Sequence, residues 1–121
     1  MNGSINNQLL IYKQITQMLE DGILNDDYKA DEQVPSTTEI SKVFNINPAT
    51  VAKGVNRLVD EGILYKKRGI GMFVAQNAKE LLLKTRRETF TKEEIVSFLA
   101  NAKKLNFSKD ELINIIKKSN L

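Results

Sequence analysis

The chain has 121 residues, 41% of them hydrophobic and 27% charged, with a net charge of +3, which suits one small domain with an appendage and argues against global disorder. It contains no Cys and no His, which excludes disulfides, thiolate metal sites and the commonest nucleophile–base pairs, so no cofactor, metal or enzymatic activity is expected. Met1 to Gln8 lacks the basic-then-apolar pattern of a signal peptide, and no apolar stretch approaches the roughly 20 residues of a membrane helix, so the expectation is a cytoplasmic protein with no membrane contact.

In chain order, Ile11, Ile15, Met18, Leu19 and Ile23 form a helical stripe within Gln8–Leu24,. Asn25-Asp26-Asp27 breaks it, and Tyr28 to Val34 reads as a loop, since Pro35 disfavours helix at Val34,. Ser36 can cap a short helix with Glu39 as its reciprocal partner and Ile40, Val43 and Phe44 as its buried face,. After a turn at Asn45-Ile46, Asn47-Pro48 starts a helix that runs to about Asp60, with Gly62 as the left-handed residue beyond it,. Ile63 to Lys66 and Gly71 to Ala75 read as two strands joined by the tip Lys67-Arg68-Gly69-Ile70,. Three capping-box pairs then announce helices: Asn77 with Glu80, Thr91 with Glu94, and Ser108 with Glu111,. The expected class is mainly α with a small β-hairpin, residues 1–75 forming one domain and 76–121 a helical tail.

Charge is uneven along this frame. Residues 1–35 carry Lys13 and Lys29 against six carboxylates, for −4, whereas residues 36–75 carry six bases against three acids, for +3. On the helix from Pro48, a rotation of about 100° per residue gathers Val51, Val55, Leu58 and Val59 on one side with Gly54 beside them,. Ala49, Thr50, Lys53, Asn56 and Arg57 lie opposite, with no carboxylate before Asp60. An ordinary amphipathic helix has a solvated polar face too. The context favours more: a short helix ends about three residues earlier, at helix-turn-helix spacing, and the next hairpin carries Lys66-Lys67-Arg68-Gly69 at its tip,. Small residues permit close approach to a major groove, amides and hydroxyls meet base edges, and cations meet phosphates or a narrow minor groove.

Ile11-Tyr12-Lys13-Gln14-Ile15, Val34-Pro35-Ser36, Asn47-Pro48-Ala49-Thr50-Val51, Leu58-Val59-Asp60-Glu61-Gly62-Ile63-Leu64 and Arg68-Gly69-Ile70-Gly71-Met72-Phe73-Val74 stand in an order and spacing that resemble the GntR family. The short helical tail resembles its YtrA subgroup. The resemblance implies a winged helix-turn-helix that binds double-stranded operator DNA, and a tail that forms a homodimer without a large effector domain. It implies DNA contacts at Ser36, Thr37, Thr50 and Arg68–Gly69, with Thr38 and Ala49 as positional equivalents; Asn47, Lys53, Asn56, Arg57, Lys66 and Lys67 join them from the helix and hairpin pattern. Two departures stand out, because Thr38 and Asn47-Pro48 occupy positions where the family commonly has Arg and Ser-Arg. They imply a different operator, with less Arg-to-guanine readout.

The implied function is a sequence-specific transcription regulator, acting as a repressor through a recognition helix at about 48–60 and a basic wing at about 66–71. A small-molecule effector stays open, its identity unknown. One rival is a winged-helix protein-interaction module, which would place a large apolar patch on the recognition face. The other is a carboxylate hydrolase using Asp26, Asp27, Asp31 and Glu32, which sit in a polar loop without the apolar surroundings that shift pKa values,.

Overall fold

The computed structural model describes the backbone of residues 3–121 and the side chains of residues 10–121; the side chains of the Met1–Gln8 segment lie outside the described residues. The order is α1 (Gly3–Leu24), α2 (Thr37–Phe44), α3 (Pro48–Asp60), β1 (Leu64–Lys67), β2 (Gly71–Val74), α4 (Ala78–Thr89), a π-helical segment (Phe90–Ile95), α5 (Val96–Lys104) and α6 (Lys109–Lys118). The chain divides into two compact units, Met1–Leu83 and Lys84–Leu121.

In the first unit one core is assembled from every element. Ile15, Leu19 and Ile23 of α1 meet Ile40 of α2, Val51, Val55 and Leu58 of α3, and Ile63, Leu64 and Val74 of the hairpin region. Gly54 lets α1 and α3 approach to backbone contact, because a Cβ there would lie 2.9 Å from the Tyr12 carbonyl oxygen. The strands pair antiparallel with Leu64 opposite Val74 and Lys67 opposite Gly71, one residue later in β1 than expected.

Two expectations are corrected here, and the expected loop gains detail. In α2 only Ile40 is buried; Val43 and Phe44 are 75% and 52% exposed. The left-handed Asn45, at φ 52°, turns the chain back, and Ser41 Oγ donates to the Ile46 carbonyl at 2.6 Å. Ile46 therefore packs against the core in their place. Next, the end of the expected loop is not free of pairing: Asp31 N donates to Val74 O at 2.8 Å, Val74 N to Glu32 O at 3.0 Å and Val34 N to Met72 O at 3.0 Å. An extended Val34 before Pro35 suits such an edge, and Pro35 cannot donate to prolong it. Finally, the first unit runs past residue 75, because Ala78 and Leu82, four residues apart on one face of α4, are fully buried in its core,.

In the second unit, Thr91 does not start a helix. Its hydroxyl bonds back to the Arg87 carbonyl at 2.9 Å, and the backbone stays helical through the π segment to Lys104. A Thr that donates to the preceding turn satisfies itself without a helix end. Ser108 and Glu111 do form the expected capping box, at 3.1 and 2.9 Å. Asn106 at φ 61° and the Phe107 N–H to Ala102 O bond of 3.0 Å close the turn between α5 and α6,. Ala102 is the buried residue of this unit, while Phe98, Leu99, Ile113, Ile115 and Ile116 are exposed.

Candidate nucleic-acid interface

The start of α2 is built by Ser36, whose Oγ accepts from Glu39 N at 3.0 Å while its own N–H donates to Glu39 Oε1 at 3.1 Å. Thr37 and Thr38 follow in the first turn, half-buried and exposed, where helical N–H groups have no intrahelical acceptor. Asn47 caps α3 through Oδ1, which accepts from Ala49 N at 2.9 Å, and Pro48 takes the first helical position,. Both N-termini are thus fixed by their own side chains.

On α3 the expected division holds for most positions. Val51, Gly54, Val55 and Leu58 are buried, Val59 is half-buried, and Ala49, Lys53, Asn56 and Arg57 are exposed; Thr50 is half-buried at the edge. The two cations are not loose. Lys53 Nζ lies 5.0 Å and Arg57 Cζ 5.9 Å from the centre of the Tyr12 ring. Arg57 Nη1 donates to the Tyr12 hydroxyl at 2.9 Å, and its Nε lies 3.5 Å from Glu61 Oε1. The Tyr12 bond raises the guanidinium above its ordinary pKa, aided by Glu61 and opposed by slight desolvation; Arg57 is a cation in any case, as every guanidinium is. Tyr12 was visible in the sequence only as a partner in the family pattern; its place beside α3 required the crossing of α1 and α3.

The wing tip is held at its base. Ile70 N donates to Lys67 O at 2.9 Å, and Gly69 takes φ 76°, which a side chain would strain,. Gln33 Nε2 donates to Ile70 O at 3.1 Å, across a gap that a Cβ on Gly71 would fill at 2.5 Å. Lys67 Nζ lies 4.4 Å from the Phe73 ring centre, and Phe73 stacks on Tyr65 with centroids 5.8 Å apart. Lys66 and Arg68 extend from this platform, exposed. Sequence reasoning missed Gln33, Phe73 and Tyr65, which act across strands.

The acidic loop proves to be a brace. Asp31 accepts from the Tyr65 hydroxyl at 2.8 Å and from Gln76 Nε2, and Asp26 pairs with Lys79 at 2.9 Å. The Tyr65 bond raises that phenol above its usual pKa. Asp26 and Asp31 are exposed, and their oxygens tie the loop to Tyr65 of β1, to Gln76 and to Lys79 of α4. Among the described residues no helix is long and apolar enough to cross a membrane.

A capped two-helix turn followed by a cation-bearing hairpin is the geometry shared with known regulators. The sequence profile of the gntR family of bacterial regulatory proteins matches residues 11–74. The chain is 33% identical over 92 residues to the transcriptional repressor YtrA of Bacillus subtilis, covering 76% of this chain and 70% of that protein. It is 35% identical over 83 residues to the repressor NagR of the same organism, but spans only 34% of that longer protein. A GntR-family regulator from Bacteroides thetaiotaomicron superposes with a TM-score of 0.73 at 35% identity over 89% of this chain and 94% of the other. The DNA-binding domain of AraR, solved in complex with an operator, superposes with a TM-score of 0.51 at 30% identity, over 53% of this chain and 78% of that one. The profile match, the identity to YtrA and the shared winged helix together mean that this chain belongs to the GntR family and is a DNA-binding transcription regulator.

Proposed function

We propose that the protein is a cytoplasmic repressor that binds an inverted-repeat operator as a homodimer, α3 entering the major groove and the wing meeting the backbone or minor groove. The observation that carries this reading is the exposure of Ala49, Lys53, Asn56 and Arg57 on α3, with Thr50 half-buried at their edge, together with that of Lys66, Lys67, Arg68 and Gly69 on the wing. Thr37 and Thr38 add first-turn N–H groups, and Ser36 and Asn47 add small polar side chains at the helix starts, suited to phosphate. Among the described residues, the exposed large apolar side chains of α2, α3 and the wing are Val43, Phe44 and Ile70, and the exposed positions of α3 itself are polar, charged or small.

Dimerisation rests on the second unit. Its 38 residues, Lys84–Leu121, expose apolar side chains on α5 and α6 that so short a segment cannot bury alone,. A second copy supplies the missing surface, and a two-fold protein matches a two-fold operator. Occupancy of the operator then blocks polymerase without further machinery. DNA selected from random sequence by the purified protein is expected to contain an inverted repeat with half-site centres roughly 10 bp apart or a multiple of that spacing, bound by one dimer. Sedimentation as a monomer at micromolar concentration, or the absence of any enriched motif, overturns the reading; the latter is what the protein-docking rival predicts.

A further inference from the structure

We propose that Tyr12 is a positioning residue for DNA binding, holding Lys53 and Arg57 as a preset pair of cations along the edge of α3 that faces α1. The inference rests on the assignment of α3 as the DNA-facing helix. Lys53 and Arg57 are four residues apart, so their side chains are neighbours and their charges repel. Tyr12 offsets this from a different helix: its ring faces both cations, at 5.0 and 5.9 Å, and its hydroxyl accepts from Arg57 at 2.9 Å. The backbone that carries the ring is anchored where α1 and α3 come into contact. The Thr16 hydroxyl lies 3.1 Å from the Tyr12 carbonyl and 3.2 Å from the Gly54 carbonyl, and the absent Gly54 side chain leaves the space that Tyr12 O occupies.

This arrangement assigns the two cations a common task. Tyr12 holds Lys53 and Arg57 on the side of α3 next to α1, which suits contact with phosphates of an adjoining strand. Arg57 spends one donor on Tyr12 and turns Nε toward Glu61, leaving others of its five N–H groups for a phosphate. Long cationic side chains normally lose rotamer freedom when they bind. Here the ordering is done in the free protein, by a side chain that itself adds no charge.

The test uses the full-length protein with Tyr12→Phe, Tyr12→Leu and Lys53→Ala/Arg57→Ala, alone and combined, measuring affinity for the selected operator and for scrambled DNA over a range of salt. Lys53→Ala/Arg57→Ala is expected to weaken both and to flatten the salt dependence. Tyr12→Leu is expected to weaken both by about tenfold, as preordering is lost, with the salt slope unchanged because the cations remain. In the Lys53→Ala/Arg57→Ala background it should have no further effect. Tyr12→Phe, which keeps the ring and the fold, should show about a two- to threefold loss that disappears when Arg57 is alanine; it carries the test if Tyr12→Leu does not fold. Wild-type affinity of the Tyr12 variants beside a weakened Lys53→Ala/Arg57→Ala protein overturns the positioning role and leaves the α3 assignment standing. Equal losses with and without the cations also overturn it, since Tyr12 would then act directly or through packing. Wild-type affinity of Lys53→Ala/Arg57→Ala overturns both together.

Discussion

Thr16 of α1 donates its single hydroxyl proton between two carbonyls, that of Tyr12 on its own helix and that of Gly54 on α3, at 3.1 and 3.2 Å. Thr16 is the buried polar side chain of the core, and its bond crosses the point where the helices lack an intervening side chain. Gly54→Ala therefore sets two effects against each other. Helix propensity favours Ala by about 1 kcal/mol, whereas the new methyl would stand 2.9 Å from the Tyr12 carbonyl and force the helices apart, typically at about 1–3 kcal/mol. The contact is with backbone, so overpacking is expected to win and thermal unfolding should occur at lower temperature. An unchanged or higher Tm would show that α1 and α3 separate freely.

Two of the wing's three cations, Lys67 and Arg68, differ in their support. Lys67 rests on Phe73, while Arg68 projects beside a left-handed Gly69. Arg68→Ala should weaken binding to all sequences and lower the salt slope by about one unit per lost phosphate contact and chain. If its guanidinium enters the minor groove, the loss should be larger on A·T-rich flanks. Gel-shift titrations with Arg68→Ala and Lys67→Ala combined decide the matter: unchanged affinity at every salt concentration removes the wing from the interface.

Local chemistry made much of this readable in the sequence. The boxes at Ser36–Glu39 and Ser108–Glu111 and the Asn47-Pro48 start depend on residues three or fewer apart, and each appears in the structure. The apolar face of α3 follows from periodicity alone. What failed turned on contacts that a capping or periodicity pattern does not contain. The burial of Val43 and Phe44 was decided by the turn that brings in Ile46, and the independence of residues 76–83 by Ala78 and Leu82 meeting the core. A capping pattern at Thr91 was overridden because its hydroxyl had the Arg87 carbonyl within reach. In the candidate interface, α3 and the wing were legible as a run of polar and basic residues, but Tyr12, Gln33 and Asp31 gain their roles from partners 34 to 45 residues away.

Tyr65 offers a pH-dependent probe of the brace beneath the wing. Its hydroxyl donates to Asp31, and the bond raises its pKa in the folded state, so the folded protein retains the phenol proton more tightly than the unfolded chain. That stabilisation is fully present below the unfolded value of about 10 and is lost as pH rises through the folded value. Asp31→Asn keeps a residue that tolerates the left-handed φ of 66°, while removing the charge. Following the Tyr65 ring resonances with pH, titration should move downward in the variant. Identical titration in both proteins would mean that the bond is not formed in solution.

Sequence preference should reside on the part of α3 that Tyr12 leaves alone, and Asn56 is the residue placed to carry it. Its side chain is exposed, on the face opposite the buried Val55, and a carboxamide can pair twice with adenine through donor and acceptor. Asn56→Ala should change stability by under about 0.5 kcal/mol, as exposed substitutions do. On the selected operator it should cost about 1–3 kcal/mol and relax the preference at one position in each half-site. On scrambled DNA it should cost little, the opposite of the Lys53 and Arg57 variants, whose losses fall on all sequences alike. Val55→Asp supplies the contrasting control: at 1% exposure it buries an unpaired charge, and the first unit should unfold. Competition binding with operators mutated one base pair at a time, read beside thermal melts, separates these outcomes. A folded Asn56→Ala protein that keeps the wild-type preference at every position would place base reading elsewhere on the surface.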